Sequence, residues 1–490
     1  MKIRSILGAL VIAALPFTSV WAENMTPEDI KKLVDEAVTK RLQEHERREG
    51  TTERREGAVV PVAEPGVGPL PEVGREHRAE SQPALSFSSS GSGRLVYAKP
   101  FVASPKAIVG GYFDIQYRSH RKGVLEGYSG NGTTNGFDQQ RFVPFIYADI
   151  TEHVKFASEL EIEHGIRGST GNNEVSLEFA HIDYLVNEPV NIRAGIVLIP
   201  IGKFNLLHDS PLNDLTDRPL VSRLVIPSTM SETGAGFYGT FYPGRTGKLD
   251  YELYVTTGPC GYNPNGSPRV TEGNGTRNSR QRKCASDDGL DINNGKAVSG
   301  RVAFSPMLGV EVAGSSYYGN QSPFSYNPLS ITAVDWTLQK GPFEIIGEAA
   351  WAYARGNSRA IPGSAQPVGT FLQGVGTLNF FAGPPQRMHG FYIQGNYHFM
   401  PAFLTKLSPK RFGEGSTFTA VVRYDLVNLN MDNRAESEGQ LEQISFGLNY
   451  RPVEDAVFKI SYQYMPKSFN PNTSERIHDG ALVISAATYF

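Results

Sequence analysis

Cysteine, tryptophan and methionine are scarce in this 490-residue sequence, which holds 2, 3 and 8 of them. Two cysteines cannot staple a disulfide-rich scaffold. An excess of charge of either sign is missing too, since 47 Lys and Arg against 50 Asp and Glu leave a formal net charge of -3. Without a basic stripe, nucleic acid drops out as a partner. Beyond residue 22 no apolar run approaches the roughly 20 residues of a membrane-crossing helix, so any membrane role has to use strands. What is abundant is glycine (51), phenylalanine (27) and tyrosine (22), a bias toward aromatic-rich β structure.

The N-terminus carries the single long apolar stretch. A basic start at Lys2 and Arg4, an apolar run from Ile6 to Leu15 and the small-residue site Val20-Trp21-Ala22 make a cleaved secretory signal over residues 1–22. Thr26-Pro27-Glu28-Asp29 then reads as a helix start, followed by Ile30, Leu33, Val34, Ala37, Val38 and Leu42 at helical spacing. One apolar stripe on a lone helix needs a partner, so residues 23–49 either self-associate as a short coiled coil or lie on the protein's own surface. Residues 50–106 shift to Arg/Glu clusters and then to Pro, Gly and Ser, the composition of a flexible linker.

From residue 107 to 490 the chain alternates. Glu159, Glu161 and Glu163 interleave with Leu160 and Ile162; Asp250 and Glu252 interleave with Leu249, Tyr251 and Leu253; Arg423 and Asp425 interleave with Val422 and Tyr424. Period two with one apolar and one polar face means strands that separate two environments. Sixteen are expected, at 107–119, 139–150, 154–164, 174–186, 190–199, 232–243, 248–258, 296–305, 309–319, 330–340, 343–355, 387–399, 416–427, 440–451, 456–465 and 478–490. Links after even-numbered strands are mostly short, as at Thr151-Glu152-His153, and those after odd-numbered strands long and rich in Gly, Asn and Ser. The link at 400–415 breaks the short-turn pattern. This layout predicts an all-β fold, a transmembrane antiparallel β-barrel in the outer membrane, with the N-terminal helix and linker on the periplasmic side. The final strand places Leu482, Ile484, Ala486, Thr488 and Phe490 on one face and ends on an aromatic, as outer-membrane barrels do.

Residues 111–239 carry a resemblance. Gly111-Tyr112-Phe113-Asp114, Gln140-Arg141-Phe142-Val143, Phe179-Ala180-His181-Ile182-Asp183-Tyr184 and Arg193-Ala194-Gly195, followed by apolar residues and Pro200-Ile201-Gly202, resemble the phosphate-selective porin O and P family. The resemblance implies a homotrimer of water-filled barrels with the third outer loop folded inward. Phosphate-specific members line the pore with arginines, whereas the polar faces here mix Glu159, Glu161, Asp250, Glu252 and Asp425 with Lys155, Arg193, Arg301 and Arg423.

These residues are the expected pore wall. The expected constriction is the connection at 201–231, where Phe204, Leu206, Leu207, Leu212, Leu215, Leu220, Leu224 and Ile226 alternate with Lys203, His208, Asp209, Asp214, Asp217, Arg218 and Arg223. So many leucines predict packing against the inner wall, with the charges facing the lumen; the alternative is a loop capping the mouth or touching a trimer neighbour. An acidic excess on the wall predicts a weak cation preference. Cys260 and Cys284, in one exported loop, are expected to pair.

Catalytic motifs are thin. No metalloprotease or nucleophile-elbow segment occurs, Gly289 to Lys296 has the wrong spacing for a phosphate-cradling loop, and Asp287 to Asn293 misses the calcium-loop spacing. The expectation is a passive channel for ions and small hydrophilic solutes, in contact with outer-membrane lipid, with no enzymatic activity, cofactor or metal. The alternatives are a phosphate-selective channel and a structural anchor that grips the cell wall or its trimer mates through the N-terminal helix.

Overall fold

The computed structural model describes residues 107–120, 134–164, 174–263, 267–280, 295–322, 326–356, 369–372, 377–380, 385–413, 415–432, 439–469 and 476–490. The signal segment, the helix at 23–49 and the linker at 50–106 lie outside the described residues, as does Cys284.

Sixteen strands form a closed antiparallel barrel. They are β1 (Ala107–His120), β2 (Thr134–Asp149), β3 (Val154–Glu163), β4 (Glu174–Leu185), β5 (Asn191–Leu198), β6 (Ser231–Phe241), β7 (Lys248–Thr256), β8 (Ala297–Met307), β9 (Val310–Asn320), β10 (Pro328–Lys340), β11 (Phe343–Ala354), β14 (Arg387–Phe399), β15 (Thr417–Asn428), β16 (Gln440–Val453), β17 (Ala456–Phe469) and β18 (Arg476–Tyr489). Two short strands, β12 (Gly369–Leu372) and β13 (Thr377–Phe380), pair with each other inside the long connection between β11 and β14, where the sequence suggested only loop. Each barrel strand pairs with its neighbour in sequence, and β1 closes the ring against β18 from Tyr112↔Tyr489 to His120↔Ala481. Closure leaves no unpaired edge, the condition for a sheet to sit in lipid.

The alternation has the polarity of a membrane barrel. On β7, Leu253 and Val255 are 49% and 53% exposed while the intervening Glu252 and Tyr254 are 3% and 0%. Apolar side chains therefore cover the outside and charged ones the inside, the reverse of a soluble β-sandwich and the arrangement of a transmembrane barrel. At the seam the amide of Phe490 donates to the Gly111 carbonyl (2.9 Å), the Gly111 amide donates back (3.1 Å), and the Phe490 ring stacks on Phe142. A Cβ on Gly111 would collide with that ring and with the Val143 carbonyl, so glycine is what lets the last residue close the ring.

One irregularity matters for the interior. Between the Glu159↔Phe179 and Leu160↔Leu177 pairs the register of β3 against β4 shifts, so Glu178 is an extra residue on β4. Such a bulge re-aims a side chain. Both Glu178 and Phe179 are buried, and beyond the bulge His181 and Asp183 continue the inward face.

Candidate functional site

The connection from β5 to β6 enters the barrel. The strand ends at Leu198, and Gly202 adopts φ +68° where the chain swings inward; a Cβ there would strike the Glu348 carboxylate. Asn205 ties the base of the loop together, its side-chain amide donating to the carbonyls of Ile199 (2.8 Å) and Met230 (3.0 Å) and its oxygen accepting from the Met230 amide (2.7 Å).

An apolar wedge then seats the loop. The short helix α1 (Leu220–Leu224) is buried throughout, and Leu220, Val221, Leu224, Val225 and Ile226 share one core with Ala333, Ala350, Ala352, Met388, Tyr392 and Val427 of the wall. Small alanines on β10 and β11 leave the room that the leucines fill. Leu215 is buried with the rest, whereas Phe204, Leu206, Leu207 and Leu212 remain partly exposed.

Polar ties reach most of the way around the wall. Lys203 Nζ meets Glu311 (3.2 Å) and Thr337 (2.8 Å), the Phe204 amide and the Ser222 hydroxyl donate to Glu348 (3.1 and 2.9 Å), and the Leu220 amide donates to Asp425 (2.9 Å). Lys459 donates to the carbonyls of Ser210 and Asn213, Arg451 to that of Pro211, and Arg423 to that of Asp217. Asp209 accepts from the Tyr489 hydroxyl (2.8 Å). Asp214 accepts from Asn396 (2.8 Å) and Asn449 (3.2 Å) and lies 3.4 Å from Arg451. Burial, reinforced by nearby Glu344, holds its carboxyl above the usual aspartate range although Arg451 pulls the other way. Asp217 stands 4.0 Å from Arg118, and Arg218 stands 3.8 Å from Glu161. The charges at 203–218 thus face the wall groups that bind them, where the leucine pattern had suggested charges turned toward open lumen.

Wall residues divide by height. Lys155 pairs with Asp149, and Asp250 with Lys248 and Thr240, close to the rim of short turns and away from the loop. Asp183, the cross-strand partner of Lys155, accepts two bonds from Arg193 (2.8 Å each) and one from Tyr238 (2.7 Å), with His181 Nδ1 at 3.2 Å. Glu252 accepts from Tyr254, Arg301 pairs with Asp335 at 2.6 Å, and Arg423 pairs with Asp425. Glu159 and Glu178 converge on His208 of the loop, with one donor atom from each within 4.8 Å of the others. His208 Nδ1 is bonded to the Asn205 carbonyl, which leaves Nε2 to face Glu178 at 2.7 Å. Among the described residues this grouping has the spacing to hold a metal ion, and its His208–Glu178 hydrogen bond ties the loop to β4.

A second connection, between β7 and β8, folds onto the first. The Thr276 amide and hydroxyl bond the carbonyls of Leu224 and Val225, Arg280 donates to the Ser228 carbonyl, and Val270 joins the apolar core. Cys260 is disulfide-bonded and its amide donates to Ser279; the chain's other cysteine, Cys284, lies outside the described residues, as do Asp287 to Asn293. Where the two connections meet, a small open cleft is lined by Arg218, Arg223, Arg277, Arg280, Gln140, Ser228, Glu163 and His164. Arg277 and Arg280 were not among the residues expected at the constriction. Their signal was the basic run Arg277, Arg280, Arg282, Lys283 in a loop that otherwise reads as polar filler.

No protein-family model matches the chain. It is similar to an uncharacterized protein of Aquifex aeolicus (strain VF5), 27% identical over 365 residues that cover 72% of this chain and 74% of that one. Among solved structures it is similar to the outer membrane channel DcaP of Acinetobacter baumannii, at TM-score 0.47 and 10% identity over 78% of this chain and 97% of that chain. An anion-selective porin from Comamonas acidovorans gives TM-score 0.46 and 9% identity over 78% and 99%. OmpT of Vibrio cholerae in its trimer form gives 0.41 and 10% over 79% and 100%.

Proposed function

We propose that this protein is an outer-membrane porin, a passive water-filled channel and not an enzyme, that lets ions and small hydrophilic solutes cross and assembles as a homotrimer with its N-terminal segment in the periplasm. The observation that carries the reading is the β5–β6 connection, which is folded into the barrel and bonded to several wall strands, so that it narrows the interior. A barrel used only as a membrane peg has no need of an inward loop with a built seat.

The charge placement favours anions over the weak cation preference that the wall composition suggested. Asp214 and Asp217 are held by Arg451 and Arg118, and a paired buried charge projects little field. The cleft where the two connections meet is lined by Arg223, Arg277, Arg280 and Arg218, the last also 3.8 Å from Glu161, and, among the described residues, by one acid, Glu163, which itself pairs with Arg141. Guanidinium groups in a confined space raise the local concentration of anions, oxyanions such as phosphate included.

Planar-bilayer recording of the purified protein tests this. Stepwise conductance is expected, with a reversal potential across a salt gradient on the anion side. Replacing Arg277 and Arg280 by Gln should move that potential toward cations. A protein that inserts and never conducts would leave the structural-anchor reading, and cation selectivity indifferent to Arg277 and Arg280 would refute the assignment of the arginine cleft.

A further inference from the structure

The turn between β14 and β15 differs from its neighbours. Other turns on that rim are short, such as the one between Lys340 and Phe343, yet this one spans 400–416 and contains its own helix, α2 (Ala402–Leu407). A turn that only reverses the chain needs neither the length nor a helix.

Nothing in α2 is buried. Phe403 and Leu407, one turn apart and so on one helix face, are 68% and 77% exposed, and Lys406 beside them is exposed too. The segment continues through exposed Lys410 and Arg411, and its basic residues outnumber its one acid, Glu414. Fully exposed large apolar residues are costly in water unless something covers them.

Where the segment lies identifies what covers it. The Tyr450 hydroxyl donates to the Arg411 carbonyl at 2.7 Å, and Phe412 packs against Tyr450 (5.5 Å between ring centroids) and Phe418 (6.4 Å). Phe418 and Tyr450 are directly paired across β15 and β16 and alternate with the buried Thr419 and Asn449, so they stand on the outer, lipid-facing side. They continue an aromatic row of Phe343, Tyr397 and Phe399 along the same face. The end of the turn is therefore pinned to the outside of the barrel at the level of an interfacial aromatic girdle.

We propose that the 400–416 turn is an interfacial anchor. Helix α2 lies in the membrane leaflet on the short-turn side, with Phe403 and Leu407 at the boundary of headgroups and acyl chains and Lys406, Lys410 and Arg411 on anionic phospholipid headgroups. Two observations select lipid over a protein partner: the segment is continuous with the barrel's lipid-facing girdle, and its apolar residues are flanked by basic side chains whose stems reach to the headgroups. The anchor would set how deeply that side of the barrel sits. This inference rests on the membrane reading above.

The test uses the full chain in vesicles of phosphatidylethanolamine and phosphatidylglycerol, with tryptophan fluorescence quenched by brominated lipid. Trp336 and Trp351 on β10 and β11 interleave with the inward residues Asp335, Thr337 and Ala352 and so report barrel insertion in the unaltered protein. A second protein, with Trp21→Phe, Trp336→Phe, Trp351→Phe and Phe403→Trp, reports the turn alone. The expected result is a blue-shifted emission quenched more by lipid brominated near the headgroup end of the acyl chain than by lipid brominated near its terminus. That quenching should fall in vesicles lacking phosphatidylglycerol and in the same protein carrying Lys406→Gln and Lys410→Gln. Native tryptophans that escape quenching would overturn the membrane reading itself. Quenched native tryptophans with a water-exposed, unquenched reporter would overturn only the anchor. A blue-shifted but unquenched reporter would assign the turn to a contact with a second copy of the chain, which also overturns it.

Discussion

Removing one leucine from the loop's seat should separate the stability of the loop from that of the barrel. Leu224 is 1% exposed, at the end of α1 and in the core formed with Ala350, Ala352, Met388 and Tyr392. Its side chain takes no part in the barrel's backbone ladders. Leu224→Ala removes buried apolar surface and leaves a cavity, a change that costs about 2 to 5 kcal/mol in packed cores. The cost falls on the equilibrium between the seated and unseated loop, so opening should become about 30-fold to several-thousand-fold more frequent at about 1.4 kcal/mol per factor of ten. Hydrogen exchange followed by mass spectrometry in detergent reads this directly. The reporters are the amides of Arg223, Val225, Ile226 and Ser228, which donate within the loop to Pro219, Val221 and Ser222. The same sample supplies its own control, since peptides from β14 to β17 should keep their protection. In single-channel records the variant should show larger and noisier currents. Unchanged exchange in residues 219–230, or exchange that rises equally in the barrel strands, would refute the idea that an apolar wedge holds a separately stable loop.

Four further outcomes are expected. Asp183→Asn removes the charge that faces buried Arg193 and should cost about 3 to 5 kcal/mol, seen as a lower temperature for the heat-induced gel shift; an unchanged temperature would mean that water or another acid takes over. Asp214 has a raised pKa in the fold, so the native state keeps a proton that the unfolded chain has released. Its contribution is complete below the ordinary aspartate pKa and lost as pH rises to the raised value, a mildly acidic decline in urea midpoint that Asp214→Asn should abolish. Closing a loop of about 25 residues through Cys260 and Cys284 restricts the unfolded chain by roughly 3 to 4 kcal/mol in the entropy model; free thiols in the folded, non-reduced protein would refute the pairing. Deleting residues 26–47 should leave the β signal unchanged and at most weaken the oligomer.

The strand pattern was legible because it is local. Alternation along ten residues depends only on which side chains follow one another, so fifteen of the sixteen expected strands begin and end within four residues of the observed ones. The exception is β2, which starts at Thr134 where the reading began at 139, because Gly136 and Asp138 in Thr134-Asn135-Gly136-Phe137-Asp138 imitate a turn. The inward fold of residues 201–231 was legible for a related reason, since leucines in a loop have no use in water. Other features depended on partners far away in the chain. The bulge at Glu178 arises from pairing against Glu159, and nothing in the sequence of β4 announces it. Charges expected to face open lumen bind wall residues more than a hundred positions distant, as Asp214 does with Asn396 and Arg451. Arg277 and Arg280 meet Arg218 and Arg223 only because the barrel brings the β5–β6 and β7–β8 connections together. Composition and periodicity thus determined the barrel and which face of each strand is polar, being properties of neighbours along the chain. Which charges neutralise one another and which gather in one cleft was decided by closure, because only a closed ring puts residues from strands and loops far apart in sequence within a few ångströms across a shared interior.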